Sequence, residues 1–200
     1  MVGGRIHRIA VVGRSETGKT LLVVALLKAL SRMRGVRVLV NVEELRQIRY
    51  LKVGGARERP PVVEEYRFQV HKSRTDPVVG HIVDTPGLQE PPGRRRECFR
   101  AAAVTFRALL EATAVLYVLA PTLHPGDQGL NLDQELIRYA SGRRPTLVVV
   151  NKCDLPGAAE LVRWARRVNR TPVRAVSALT SEGIAELAQL MLQRLLRAEV

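Results

Sequence analysis

The chain has 200 residues, 46% of them hydrophobic, and carries 32 Lys and Arg against 19 Asp and Glu, a formal net charge of +13. This supplies enough apolar material for one substantial core, and with no Gly/Ser- or Pro-rich linker it predicts a single domain over 1–200. No apolar run reaches the roughly 18 residues of a membrane-spanning helix, and Cys98 and Cys153 are too scattered for a disulfide scaffold or a Cys-x-x-Cys zinc site. Met1-Val-Gly-Gly-Arg5 leads straight into an apolar run with no signal-peptide pattern, so a reducing, cytoplasmic setting is expected.

Ile9-Ala-Val-Val12 predicts a buried strand over 6–12, and the Leu- and Ala-rich stretch after Gly18 predicts a helix over 18–33. Between them, Gly13-Arg-Ser-Glu-Thr-Gly18-Lys19-Thr20 has the spacing G-x-x-x-x-G-K-[ST]. In that strand-loop-helix setting, consecutive backbone N–H groups of Gly13, Arg14, Ser15, Glu16, Thr17 and Gly18 wrap the α- and β-phosphates of a nucleotide at a helix N-terminus. Lys19 is expected to reach the β- and γ-phosphate oxygens, and Thr20 to offer its hydroxyl to Mg²⁺. The Glu16 carboxylate is repelled by phosphate and should turn outward, toward Arg14, which is itself expected to face solvent.

Val36-Arg-Val-Leu-Val40 predicts a strand near 36–41, and the segment from about 36 to 61 reads as a basic insertion whose Arg46, Arg49, Lys52, Arg57 and Arg59 form a partner surface. Strands near 62–70 and 77–84, joined by the polar Ser73-Arg-Thr-Asp76, predict an antiparallel hairpin at one sheet edge. The second ends in Asp84-Thr-Pro-Gly87, where Pro86-Gly87 forces an immediate turn. A carboxylate there holds Mg²⁺ through a water, and the Gly87 N–H can approach a γ-phosphate because no side chain blocks it. Alone, Asp-x-x-Gly is an ordinary strand-to-turn junction. Its position after the phosphate loop gives it meaning.

A helix over 96–111, a strand over 114–120, a helix over 129–141 and a strand over 146–151 follow. Asn151-Lys-Cys-Asp154 emerges at the carboxyl end of that last strand, where open α/β sheets bind ligands. The Asp154 carboxylate can accept from the N1–H and exocyclic amine of guanine, a donor pair that adenine lacks, and a site whose buried polar groups go unpaired rejects the wrong base strongly. Asn151 is expected to tie this loop to the phosphate loop, with the Lys152 stem along the base. After a helix over 157–169, a strand over 173–177 ends in Ser177-Ala178-Leu179, where the Ala178 N–H is placed to bond the guanine carbonyl. A helix over 181–197 completes the chain. Strand and helix alternate throughout, which predicts an α/β/α three-layer sandwich on a mostly parallel sheet.

The four segments together resemble those of the Ras-like, translation-factor-related (TRAFAC) class of P-loop GTPases. The stretch from Ser177 to Leu187 is similar to small bacterial members of the Era and TrmE kind and to ethanolamine-utilisation-type P-loop proteins. The resemblance runs from Arg8 to about Leu196 and is poor between Val36 and Asp76. It implies a Mg²⁺-dependent protein binding GTP and GDP, with Lys19, Thr20, Asp84 and Gly87 at the reacting phosphate. Three positions depart from it. Gly54 to Pro61 holds no Thr or Ser to close over Mg²⁺, and Ser73 and Thr75 lie past the first hairpin strand. Leu88 follows Gly87 where many relatives place a water-orienting Gln, Gln89 being one residue off, so slow hydrolysis is expected. Glu16 replaces the Asn of potassium-stimulated relatives, which argues against that route of activation.

The helix, Gly35 and the Val-rich strand also resemble the P-loop branch that includes metallochaperone GTPases. Their His- or Cys-rich motifs are missing, and His7, His71, His81 and His124 are isolated, reading as surface or packing residues. The expectation is a slow GTPase switch. A non-hydrolysing nucleotide-binding module that assembles on RNA, a ribosome or a protein stays open as the alternative, with metal delivery behind it, and an effector, an activating factor and nucleotide-dependent dimerisation stay open too. The arginines at 94–96, Arg100 and Arg107, and Arg163, Arg166, Arg167, Arg170 and Arg174, suit RNA, ribosomal or anionic membrane contact, or equally solvated helix faces. With only 4% aromatic residues, stacking on single strands has little support.

Overall fold

Val- and Leu-rich runs too apolar for a one-sided sheet end up in strands covered on both faces. The computed structural model describes residues 6–39, 63–71, 77–88, 95–121 and 128–197. In chain order the elements are β1 (His7–Gly13), α1 (Lys19–Ser31), β2 (Val36–Val38), β3 (Glu64–Val70), β4 (Val78–Asp84), α2 (Arg95–Glu111), β5 (Ala114–Leu119), α3 (Gln128–Ser141), β6 (Thr146–Val150), α4 (Ala158–Val168), β7 (Val173–Ala175) and α5 (Ile184–Arg197). The strands form one seven-stranded sheet in the order β2-β3-β4-β1-β5-β6-β7. From β4 to β7 all neighbours are parallel, and β3 pairs antiparallel with β4, as the hairpin pattern predicts.

Outside that hairpin lies β2, antiparallel to β3. The Leu39 N–H donates to the Arg67 carbonyl at 2.9 Å and the His71 N–H to the Gly35 carbonyl at 2.8 Å, so β2 satisfies part of an otherwise open edge. Val36 and Val38 also pack against the core. Val36–Val38 therefore belongs to the sheet, whereas the basic positions from Arg46 to Arg59, and Ser73, Thr75, Gln89 and His124, lie outside the described residues.

Alternation along each central strand divides the apolar residues between two layers. Ile9, Val11, Leu116, Val118, Leu147 and Val149 face α1 and α5, while Ala10, Val12, Tyr117, Leu119, Val148 and Val150 face α2, α3 and α4. Burial of each large aliphatic side chain stabilises by about 1.5–3 kcal/mol. With Leu22, Val23, Val24, Leu26, Leu27 and Leu30 all buried, α1 is apolar nearly all round because it lies between the sheet and α5. Among the described residues no helix is long and apolar enough to cross a membrane.

One close approach sets the hairpin. Phe68 stands opposite Gly80 in the β3–β4 register, and a Cβ on Gly80 would fall 2.2 Å from the ring Cζ. The fully buried ring lies across the glycine. Gly80→Ala is expected to force the ring off its rotamer and destabilise by about 1–3 kcal/mol, measured by urea denaturation. Phe68→Leu in the same chain should recover part of the loss. Unchanged stability of Gly80→Ala would refute this packing.

Candidate functional site

All four sequence-predicted segments gather at the carboxyl edge of the sheet, where β1, β4, β6 and β7 end. Gly18 precedes α1 in a left-handed conformation (φ 80°) with no side chain of its own to cap the helix, and the first turn holds no acid. The first N–H groups of α1 thus keep the donor capacity and positive dipole end that suit an anion. Glu16 also takes a left-handed conformation, φ 63°, and its side chain is exposed, the outward turn that anion repulsion predicts.

Lys19 Nζ donates to the Arg14 carbonyl at 2.6 Å, and Thr17 Oγ1 donates to the same oxygen at 3.0 Å. Burial strips water from the Lys19 ammonium and pulls its pKa down to about 8, against the opposing fields of Asp84 and Asp133. A charge held this way gains from any anion that docks beside it.

Thr20 Oγ1 donates to Asp84 Oδ2 at 2.6 Å, which joins the head of α1 to the end of β4. This hydroxyl and carboxylate, hard oxygen donors side by side, fit Mg²⁺, which takes few protein oxygens and fills its octahedron with phosphate and water. Beyond Asp84 the chain lies directly on the phosphate loop. Leu88 N–H donates to the Gly13 carbonyl at 3.1 Å and Ser15 N–H to the Leu88 carbonyl at 3.0 Å. A Cβ on Gly87 would sit 2.5 Å from Ser15 Cα, so only glycine fits. The Leu88 side chain is buried in the layer with Ala10 and Val12.

Asn151 joins the remaining segments. Its Nδ2 donates to the Thr17 carbonyl at 2.9 Å, and its Oδ1 accepts from the Ala178 N–H at 3.0 Å. The side chain is buried and crosses above Gly18, where a Cβ would meet Asn151 Nδ2 at 2.6 Å. Lys152 Cε lies 3.8 Å from that same point, so its stem runs over the loop. Asp154 is exposed at the tip, Ser177 is buried, and Leu179 projects into solvent. Ser177 Oγ accepts from the Thr180 N–H at 3.1 Å, which shapes the turn.

Two carboxylates that motif spacing does not flag stand close by. Glu64 is opposite Asp84 in the β3–β4 register and accepts from the Tyr66 hydroxyl at 2.6 Å. Burial, that hydrogen bond and the nearby charges of Glu64 and Asp84 push the Tyr66 phenol up. The period-two pattern was the available signal, since Glu64 shares a face with the buried Tyr66, Phe68 and Val70. Asp133, fully buried on α3, accepts from Tyr117 Oη at 2.6 Å, and burial, the Asp133 charge and this bond raise the Tyr117 phenol while Arg14 opposes. A lone Asp in a helix carries no sequence signal of that role.

With this geometry in hand, the family described as 50S ribosome-binding GTPase matches residues 8–152. The chain belongs to this GTPase family. It is 32% identical over 122 residues to the GTPase Era of Desulfovibrio desulfuricans, covering 57% of this chain and 39% of that protein. It is 31% identical over 121 residues to the tRNA modification GTPase MnmE of Syntrophobacter fumaroxidans, covering 60% of this chain and 24% of that one. The chain thus spans well under two thirds of these relatives. Two solved structures share its fold. Aquifex aeolicus Era bound to GDP and AlF4⁻ aligns with a TM-score of 0.59 at 19% identity, over 95% of this chain and 57% of the other. Era in complex with MgGDPNP and nucleotides 1506–1542 of 16S ribosomal RNA aligns with a TM-score of 0.60 at 20% identity, over 96% of this chain and 57% of the other.

Removing the Asn151 side chain should uncouple the loops of this GTPase-family site. Asn151→Ala leaves the Thr17 carbonyl and the Ala178 N–H without these partners, an expected loss of about 2–4 kcal/mol. Hydrogen exchange at the Ala178 amide should accelerate together with a lower denaturation midpoint. A protected amide and an unmoved midpoint would contradict the linkage.

Proposed function

We propose that the chain is a Mg²⁺-dependent GTP-binding protein that hydrolyses GTP to GDP slowly and acts as a switch, a single domain with a basic segment between β2 and β3. The observation that carries this reading is the Asn151 side chain, which fastens the phosphate loop to the Ala178 turn, so that one ligand spanning triphosphate and base would touch both. In this reading the N–H groups of the phosphate loop and of the head of α1 cradle the phosphates, and Lys19 exchanges the Arg14 carbonyl for phosphate oxygens. Thr20 and, through water, Asp84 hold Mg²⁺, which when bound neutralises charge on the β- and γ-oxygens. Gly87 brings its N–H toward the γ-phosphate. Asp154 accepts from the guanine edge, and the Ala178 N–H shares itself between Asn151 Oδ1 and the guanine carbonyl in a three-centre bond.

Slow turnover follows from Leu88. Its side chain is turned into the core and has no polar atom, so it orients no water, and rate enhancement falls to positioning and electrostatics alone. The same burial favours, as second reading, a nucleotide-binding module without hydrolysis. Membership of a family described as ribosome-binding, a structural neighbour bound to 16S ribosomal RNA and a formal charge of +13 support RNA as the partner class. A cytoplasmic location fits such a partner.

Single-turnover phosphate release from purified protein with GTP and Mg²⁺, with and without ribosomes, tests the enzyme reading. Release above buffer and faster than with ATP is expected. None under either condition would leave only the module. Base choice is tested by Asp154→Asn, which should weaken GTP binding about 100-fold by removing charge-assisted hydrogen bonds and improve binding of xanthosine triphosphate. Equal affinity of the unaltered chain for ATP and GTP would overturn the guanine assignment.

A further inference from the structure

A second concave site lies at the opposite end of the sheet. The amino end of β6, the C-termini of α3 and α4, the turn into β7 and one face of α5 enclose a cleft of about 530 Å³. It is lined by Arg138, Arg144, Arg170 and Arg194, with Thr146 and Asn169 on its walls. Among the described residues that line it, none is acidic. Arg138 has an exposed partner in Glu135 at 3.2 Å, while Arg144 spends its guanidinium on the backbone, donating to the carbonyls of Leu109 and Ala112. The wall is therefore fixed by Arg144, and Arg170 and Arg194 face the cleft from two other elements. Arg143, stacked over the Tyr139 ring at 4.0 Å, and Arg166 and Arg167 in the last turn of α4 extend the positive field beyond the rim.

We infer that this cleft binds the phosphodiester backbone of RNA. Guanidinium groups, hydroxyls and an amide around a concave surface are the donor set that contacts phosphate and sugar without reading sequence. The low aromatic content agrees with backbone recognition in place of base stacking. An anionic membrane would call for a flatter surface with protruding apolar anchors, whereas this one is concave and its large side chains are cationic. The β6 strand separates it from the nucleotide loops, with Thr146 in the cleft and Asn151 just past the far end. The inference rests on RNA as partner class and is independent of the nucleotide reading.

The test is fluorescence anisotropy of the full chain with a labelled single-stranded RNA of about 16 nucleotides across a salt series. Arg170→Ala/Arg194→Ala is compared with Arg34→Ala/Arg37→Ala, which removes equal charge from exposed positions near the opposite sheet edge. The unaltered chain should bind with affinity that falls steeply with salt. The cleft variant should lose about tenfold at low salt and flatten the slope by about 1 to 2, while the edge variant changes less than about twofold. Thermal midpoints establish that both variants are folded. Equal losses in the two variants would overturn the cleft while leaving RNA as partner, and no RNA binding by the unaltered chain at low salt would overturn both. Displacement of RNA by micromolar pyrophosphate would assign the cleft to a small phosphate, and binding to phosphatidylserine vesicles without binding to RNA would assign the surface to a membrane; either result rejects the proposal.

Discussion

The site depends on one buried amide. Asn151 is the first residue past β6, and its side-chain hydrogen bonds reach the loop before α1 and the turn after β7, segments that are far apart in sequence. An amide suits the task because it is at once donor and acceptor, so it satisfies a carbonyl on one side and an N–H on the other with no charge to desolvate. An Asp at this position would face the Thr17 carbonyl with an acceptor, and a Leu would leave both backbone groups unpaired. The parallel sheet makes this possible by bringing the carboxyl ends of β1, β6 and β7 to one edge.

Around that frame the structure buries a cation, Lys19, beside the head of α1. The depressed pKa of Lys19 means that part of its solvation has been surrendered on folding. A drop to about 8 corresponds to a cost on the order of 3 kcal/mol against the charged form. The Arg14 carbonyl and the charges of Asp84 and Asp133 oppose that cost. Asp133 does this from within the core, where it also anchors Tyr117, so the layer under the phosphate loop is electrostatic as well as apolar.

Strands and helices were legible in the sequence because parallel strands buried on both faces are continuous apolar runs, and Ile9–Val12 and Thr146–Val150 are unambiguous of that kind. The phosphate-loop spacing and the Asn-Lys-x-Asp segment stand out in the sequence because close approaches such as that of Gly18 to Asn151 constrain residue type tightly at fixed separations. Val36–Val38 was legible as a strand, but its place in the sheet was not. Three residues of period-two pattern do not reveal which edge they join, and the hydrogen bonds from Leu39 and His71 decide that. Glu64 and Asp133 were missed for a different reason. The period-two pattern puts Glu64 on the buried face beside Tyr66, but its position opposite Asp84 comes from strand pairing and the contact of Asp133 with Tyr117 from packing, which no local spacing records.

The two ends of the sheet differ in how their segments are held. The arginine cleft lies at the amino end of β6, whose residues are all buried, and α4 packs on that layer through Leu161, Val162 and Ala165. The segment from Thr85 to Leu88 is held to the phosphate loop by the two backbone hydrogen bonds of Leu88, to β1 by Thr85 Oγ1 donating to the Val11 carbonyl at 2.7 Å, and to α2 by Thr105 Oγ1 donating to the Pro86 carbonyl at 2.9 Å, with the Leu88 side chain buried in the core. A ligand shifts an equilibrium only by binding two states differently. On the proposed reading, a γ-phosphate beside Gly87 bears on the contacts around Leu88, at the other end of the sheet from the arginine cleft. On that reading a nucleotide-dependent signal runs through Leu88 and the α2 residue Thr105, the contacts that meet the Thr85–Leu88 segment.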